Sequence, residues 1–190
     1  MTIELTLQPD NLIEFGFGKV TKGKETQMFR EYFPLIHPVL VECGIQPLIS
    51  FVVVATNISG VIPEQGALTH VPSRENFARF HNDPRFLEAK PIRDEAMEFL
   101  SSGNFFRSTD KVVTLNTDAD YALILSENNR LSSDPLLELP AAEDSPEKTY
   151  IGKVMALHPW SNEVEQLMRE AEQVSAETVV FRIRFNPSNS

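Results

Sequence analysis

The chain has 190 residues, 42% of them hydrophobic, a formal net charge of −10 and a single cysteine, Cys43. A chain of this size can bury roughly 70% of its unfolded surface without a covalent staple. One cysteine excludes an internal disulfide and suits a reducing, cytoplasmic setting. The acidic balance, with no cluster of basic residues among aromatics, speaks against nucleic acid and anionic membrane as partners, because phosphate-rich surfaces reward lysine and arginine.

The opening MTIELTLQPDN has neither the basic head nor the apolar run of a secretory leader. LIEFGFGKV, residues 12–20, reads as the first strand. Glu14, Gly16 and Gly18 share one side with Leu12, while Ile13, Phe15 and Phe17 share the other. Glycines on one face let something pack close to the backbone. Residues 24–43 predict a helix, with Phe29, Phe33, Ile36, Leu40 and Cys43 in one stripe and Gly44 placed for a left-handed cap. Pro34 and Pro38 predict a kink, or a restart near Pro38.

PLISFVVVATN and GALTHV then predict an antiparallel strand pair. Its apolar core FVVVA is far too short to cross a bilayer. Ser73 is placed to cap a helix bearing Phe77 and Phe80, which Asp83-Pro84 interrupts. A second helical stretch is expected over 86–100, ended by Gly103. KVVTLN and YALILS read as strands. Residues 126–148 hold three prolines and six acids and read as a linker. TYIGKVMAL, NEVEQLMREAE and TVVFRIRF give strand, helix and strand.

The predicted fold class is α+β. A ferredoxin-like β-α-β-β-α-β domain over 1–125 is followed by the linker and by a β-α-β extension over 149–190. The extension can be half of a second such unit, although the halves share no residue-level repeat.

The stretch HVPSRENFARFHNDPRFLEAKPIR resembles small, largely uncharacterised proteins of the dimeric α/β-barrel superfamily. In one subgroup a strand runs into Pro-Ser, a helix, aromatic residues, a small residue with Pro, another aromatic and a basic run. Pro72, Ser73, Phe80, His81, Asp83-Pro84, Phe86, Lys90 and Arg93 match those elements, and FREYFPLIHPVLVECG resembles the first helix. The resemblance spans 12–110. It departs at His70-Val71, where an acid and Phe are usual, and in length, which is about double. It implies a four-stranded antiparallel sheet with two helices on one face, and a homodimer in which two sheets close a barrel. Two helices cover only one side of a sheet, so the other side needs a twin or this chain's own tail.

Candidate site residues are few. His70, at a strand end, and His37, beside Pro38, are candidate bases, since an imidazole titrates near neutral pH. A half-exposed histidine by a cap and a histidine satisfied by a freed carbonyl are the plain structural readings of the two. Tyr32, Arg93, Phe80 and Trp160 are candidate ligand-binding residues. His81 reads as a cap or surface group, and Lys90 and Arg93 either hold an anion or pair with nearby acids. No spacing of metal ligands, phosphate loop or nucleophile elbow occurs, so no metal or cofactor is expected. Three functional readings follow. The first is a protein binding a small apolar or aromatic molecule between sheet and helices. The second is a cofactor-independent, monooxygenase-like enzyme with a histidine base, as the resemblance allows. The third is a non-catalytic interaction or regulatory module.

Overall fold

A computed structural model describes residues 1–127, 131–142, 152–173 and 178–187 of the chain. It is an α+β protein with a sheet of eight antiparallel strands and a second sheet of two. The strands are β1 (Thr2–Leu7), β2 (Leu12–Val20), β3 (Gln46–Thr56), β4 (Gln65–Val71), β5 (Met97–Arg107), β6 (Lys111–Asn116), β7 (Tyr121–Ser126), β8 (Leu137–Pro140), β9 (Val154–Pro159) and β10 (Thr178–Phe185). The helices are α1 (Phe33–Glu42), α2 (Arg74–His81), α3 (Pro84–Ala96) and α4 (Asn162–Gln173).

The large sheet runs β5-β2-β4-β3-β10-β7-β9-β8. Its two ends meet. Phe106 of β5 bridges Ala141, just past β8, and the Ala142 N–H donates to the Phe105 carbonyl at 2.9 Å. The sheet therefore closes on itself, which removes its free edges. Strands β2 to β5 and β7 to β10 form two quartets of the same order. In each, the first and third strands are central, and the second strand meets the fourth of the other quartet: β3 against β10, and β8 against β5.

Alternation along the strands fills the enclosed space. Phe15, Phe51, Phe181, Phe185, Leu123 and Leu157 are among the residues buried there. The Phe181 ring stands 5.4 Å from Phe15 and 4.9 Å from Phe17, edge to face. The small sheet β1/β6 adds Leu5, Leu7, Val113 and Leu115 to the same cluster. The inner face that seemed to require a twin is thus covered by the chain's own last third, the second of the two covers the sequence allowed.

Several expectations need correction. Residues 97–100 are not helical; β5 starts directly after Ala96. The opening residues form β1 and pair with β6, so KVVTLN belongs to the small sheet. A boundary after residue 125 would part β7 from both neighbours, β9 and β10. The segment 126–148, read as a linker, contains β8; residues 128–130 and 143–148 of it lie outside the described residues, as do 149–151 of the strand expected next. Pro38 does not restart the helix. The irregularity lies upstream, in one wide turn over 27–32 whose Phe33 N–H bonds five residues back to Met28. Pro34 then follows that wide turn directly, at the start of α1. No helix among the described residues is long and apolar enough to cross a membrane.

Candidate functional site

The helices after β2 and β4 lie over the outer face of the first quartet. Ser73 caps α2, accepting from the Asn76 N–H at 3.2 Å, and Asn76 in turn donates to the Cys43 carbonyl at 2.9 Å, tying α2 to the end of α1. Asp83 caps α3. Met28, Tyr32, Ile36, Phe80, Phe86 and Ala89 form an apolar layer with the outer residues of the strands.

That layer does not seal. A cleft of about 820 Å³ remains between helices and sheet. Its floor includes Glu14, Gly16, Gly18, Ala67 and Thr69, and its roof Met28, Tyr32, Ile36, Phe77, Phe80, His81 and Arg93. Phe29 and Phe33, 59% and 41% exposed, line it as well and form its lip. The local cause is legible in β2: past Glu14, the outward positions are glycines, which contribute no side chain to fill the space.

Glu14 is the unusual group. It is only 8% exposed, between Thr69 on β4 and Phe105 on β5. Its Oε1 accepts one hydrogen bond, from the Gly103 N–H at 2.9 Å. That donor is aimed by a bulge: Phe15 pairs with Asn104 and Phe17 with Ser101, so Ser102 and Gly103 together face Gly16 and β5 carries one extra residue. Gly103 has φ +78°, a conformation that favours glycine. Asn104, 1% exposed, pins the bulge by donating to the Phe15 carbonyl and the Ser101 hydroxyl, both at 3.0 Å. Among the described residues no cationic side chain pairs with Glu14. Burial raises its carboxyl from 4.5 to about 7, against the weaker opposing effect of the Gly103 hydrogen bond. A Cβ on Gly16 would stand 3.3 and 3.4 Å from the two carboxyl oxygens, so that glycine keeps the acid unobstructed.

Across the cleft, burial pushes the Tyr32 phenol up, while the nearby Arg93 guanidinium pulls it down. Arg93 also donates from Nε and Nη2 to Asp94 Oδ1 at 3.0 and 2.7 Å. Lys90 pairs with Asp94 too, so both basic residues of this helix face are engaged. His81 sits among Phe77, Phe80 and Phe86, with ring centroids 4.2, 5.1 and 4.8 Å away. Its Nδ1 lies 3.1 Å from the Phe77 carbonyl, and burial lowers its pKa.

Of the residues singled out in the sequence, Tyr32, Phe80 and Arg93 meet at this cleft. His37 is exposed on α1 and does not line it, which removes it as a cleft base. His70 follows Thr69 on β4 and does not line the cleft either; its Nε2 is buried without a hydrogen-bond partner among the described residues, and burial lowers its pKa. Trp160 lies elsewhere, in a shallow recess with Asp118, Asp120, Tyr121 and Arg184. There Asp120 bridges Arg182 and Arg184, each at 2.6 Å, and the Arg182 guanidinium covers the Trp160 ring at 4.8 Å, so the recess is satisfied from within. His158 is 1% exposed on β9, beside Ala122, and neither ring nitrogen has a partner among the described residues. Burial lowers it, against Glu163 and Glu138, which raise it.

Glu14 and His81, neither of them a candidate site residue from the sequence, both line the cleft. The signal for Glu14 was present: one acid on the glycine side of an otherwise apolar strand. Among the described residues no group of three or more His, Cys, Asp or Glu side chains is placed to hold a metal ion. Compared with protein-family models, curated proteins and solved structures, the chain matches none of them.

Proposed function

We propose that this is a small-molecule-binding protein whose cleft takes a mostly apolar molecule with one polar head directed at Glu14. The scaffold we propose is a pair of ferredoxin-like units fused into one barrel, a single-chain counterpart of the dimeric α/β-barrel arrangement. The two strand quartets of matching order support this scaffold. One observation carries the binding reading: a nine-tenths buried carboxyl, lacking a cationic partner, at the floor of an aromatic-walled cleft. Buried charges are otherwise paired, and ligand clefts are mostly apolar with a few placed polar groups.

The test uses the neutral fluorescent probe N-phenyl-1-naphthylamine. Expected is saturable, one-to-one binding that Ala67→Trp, which fills the floor, abolishes while the circular dichroism spectrum stays native. Probe binding unaltered by Ala67→Trp in a folded protein would overturn the assignment.

A second reading is proton-transfer catalysis in the same cleft. The histidine base expected from the sequence gives way here to Glu14, whose pKa of about 7 suits a group that exchanges protons near neutral pH. Solvent deuterium incorporation into enolisable cyclic ketones, lost in Glu14→Gln, is its expected signature; no incorporation above background would remove it.

A further inference from the structure

We infer that the head group read by Glu14 is a protonated amine, so the ligand class is a lipophilic amine with an aromatic or alkyl body. This deepens the proposed binding reading and rests on it.

Among the described residues Glu14 accepts one hydrogen bond, from the Gly103 backbone, although a carboxylate has room for about four. Among the described residues, the cations of β2 and of the cleft roof are engaged elsewhere. Lys19 on the same strand lies 3.6 Å from Glu64 and 3.3 Å from Glu98. Arg93, in the roof, is held by Asp94. A carboxylate buried without a cation is costly, and the natural relief is a cation delivered with the ligand. The ammonium supplies both the opposite charge and several donors, which an alcohol cannot match.

The walls fit the same head group. Phe77, Phe80 and Tyr32 line the cleft beside Phe33 at its lip, and aromatic faces attract desolvated cations. The size fits a body of one or two rings, since about 820 Å³ lies within the range of small-molecule sites. The acidic chain, at −10, raises the local concentration of cationic solutes and lowers that of anions. The bulge gives the acid its permanence: Asn104 holds Ser102 and Gly103 out of register, so the one donor to Glu14 leaves its other oxygen for a guest.

The test displaces N-phenyl-1-naphthylamine from the full chain with three ligands of equal tail length: octylamine, octanol and octanoate. Expected is half-displacement by octylamine at a concentration at least about tenfold below that of octanol, with octanoate weakest. In Glu14→Gln, which keeps the shape and removes the charge, the octylamine and octanol potencies should converge. Equal potency of octylamine and octanol on the parent chain overturns the amine assignment and leaves the binding reading standing. So does a preference for octanoate, which would assign the head group to Arg93. An amine preference that survives Glu14→Gln also overturns it. Failure of the probe itself to bind would remove the binding reading, and the amine with it.

Discussion

The two strand quartets share an order and differ in how their outer faces are covered. In the second quartet, α4 lies directly on the strands: Val164 and Leu167 pack with Ala122, Ile124 and Val180. In the first, the outward residues of β2 include Glu14 and Gly16, where β7 presents Ala122 and Ile124 to its helix. Replacing a methyl and a branched chain by an acid and a bare backbone opens a cleft in otherwise similar architecture. Filling and function part company here: one helix layer contributes stability, and the other gives up some packing to hold a cavity.

Both quartets rest on one shared interior, and Phe181 is the first test of it. It comes from β10 of the second quartet and touches Phe15 and Phe17 of the first. Phe181→Ala removes a fully buried ring where backbone strands leave little freedom to collapse, so a loss of about 4 kcal/mol is expected. Chemical denaturation should show it as one cooperative transition at lower denaturant. Two separate transitions, one of them at the parent midpoint, would show that the halves fold independently and would break the comparison.

The next effect is set by pH and sharpens the contrast at Glu14. Its folded value of about 7 exceeds its ordinary 4.5. Below pH 4.5 the carboxyl is neutral in both states and its burial is tolerated. As pH climbs through 4.5 towards 7, the unfolded chain loses its proton first, so the folded state loses relative stability. Above 7 the loss levels off at about 3 kcal/mol, from the size of the shift. Glu14→Gln stays uncharged throughout. The variant should therefore gain on the parent between pH 5 and 8 in thermal or urea unfolding, and run parallel to it below 4.5. A constant offset across the whole range would place the acid in a wetter setting than the cleft provides.

Much of this was readable from residue order, and the misses share a cause. The glycine face of β2, the Ser73 cap and the apolar stripe of Phe29, Phe33 and Ile36 are local patterns, and each falls where the pattern puts it or lines the cleft. Residues 97–100 read as helix because Ala96 and Phe99 continue the spacing of Ile92, whereas the bulge at Ser102-Gly103 breaks the alternation that marks a strand. TIELTL and LELP are short, polar-flanked segments whose strand character comes from partners distant in the sequence, β6 and β9 in turn. Glu14 was overlooked because a lone acid on a strand ordinarily faces water. Its burial is decided by Thr69, Phe105 and the helices above, which no window around residue 14 contains.

The smallest expected effect compares two isoleucines of equal burial. Ile124 and Ile36 are each 3% exposed, one under α4 and the other in the roof of the cleft. Removing one methyl from a packed site costs its transfer from water and also the cavity it leaves, about 1 kcal/mol for Ile→Val. At Ile124 the neighbours Val164, Leu167 and Val180 hold the gap open, so the full cost applies. At Ile36 the methyl borders space that is already empty, and its loss enlarges a cavity whose walls make few contacts with it. Ile36→Val should therefore cost roughly half as much as Ile124→Val, or less. The two midpoints, measured in urea on otherwise identical proteins, decide the matter. Equal losses would mean that the roof packs onto the floor in solution and the cleft is closed. With octylamine present the gap should narrow, since a bound tail gives Ile36 the neighbours it lacks, while Ile124 is unaffected.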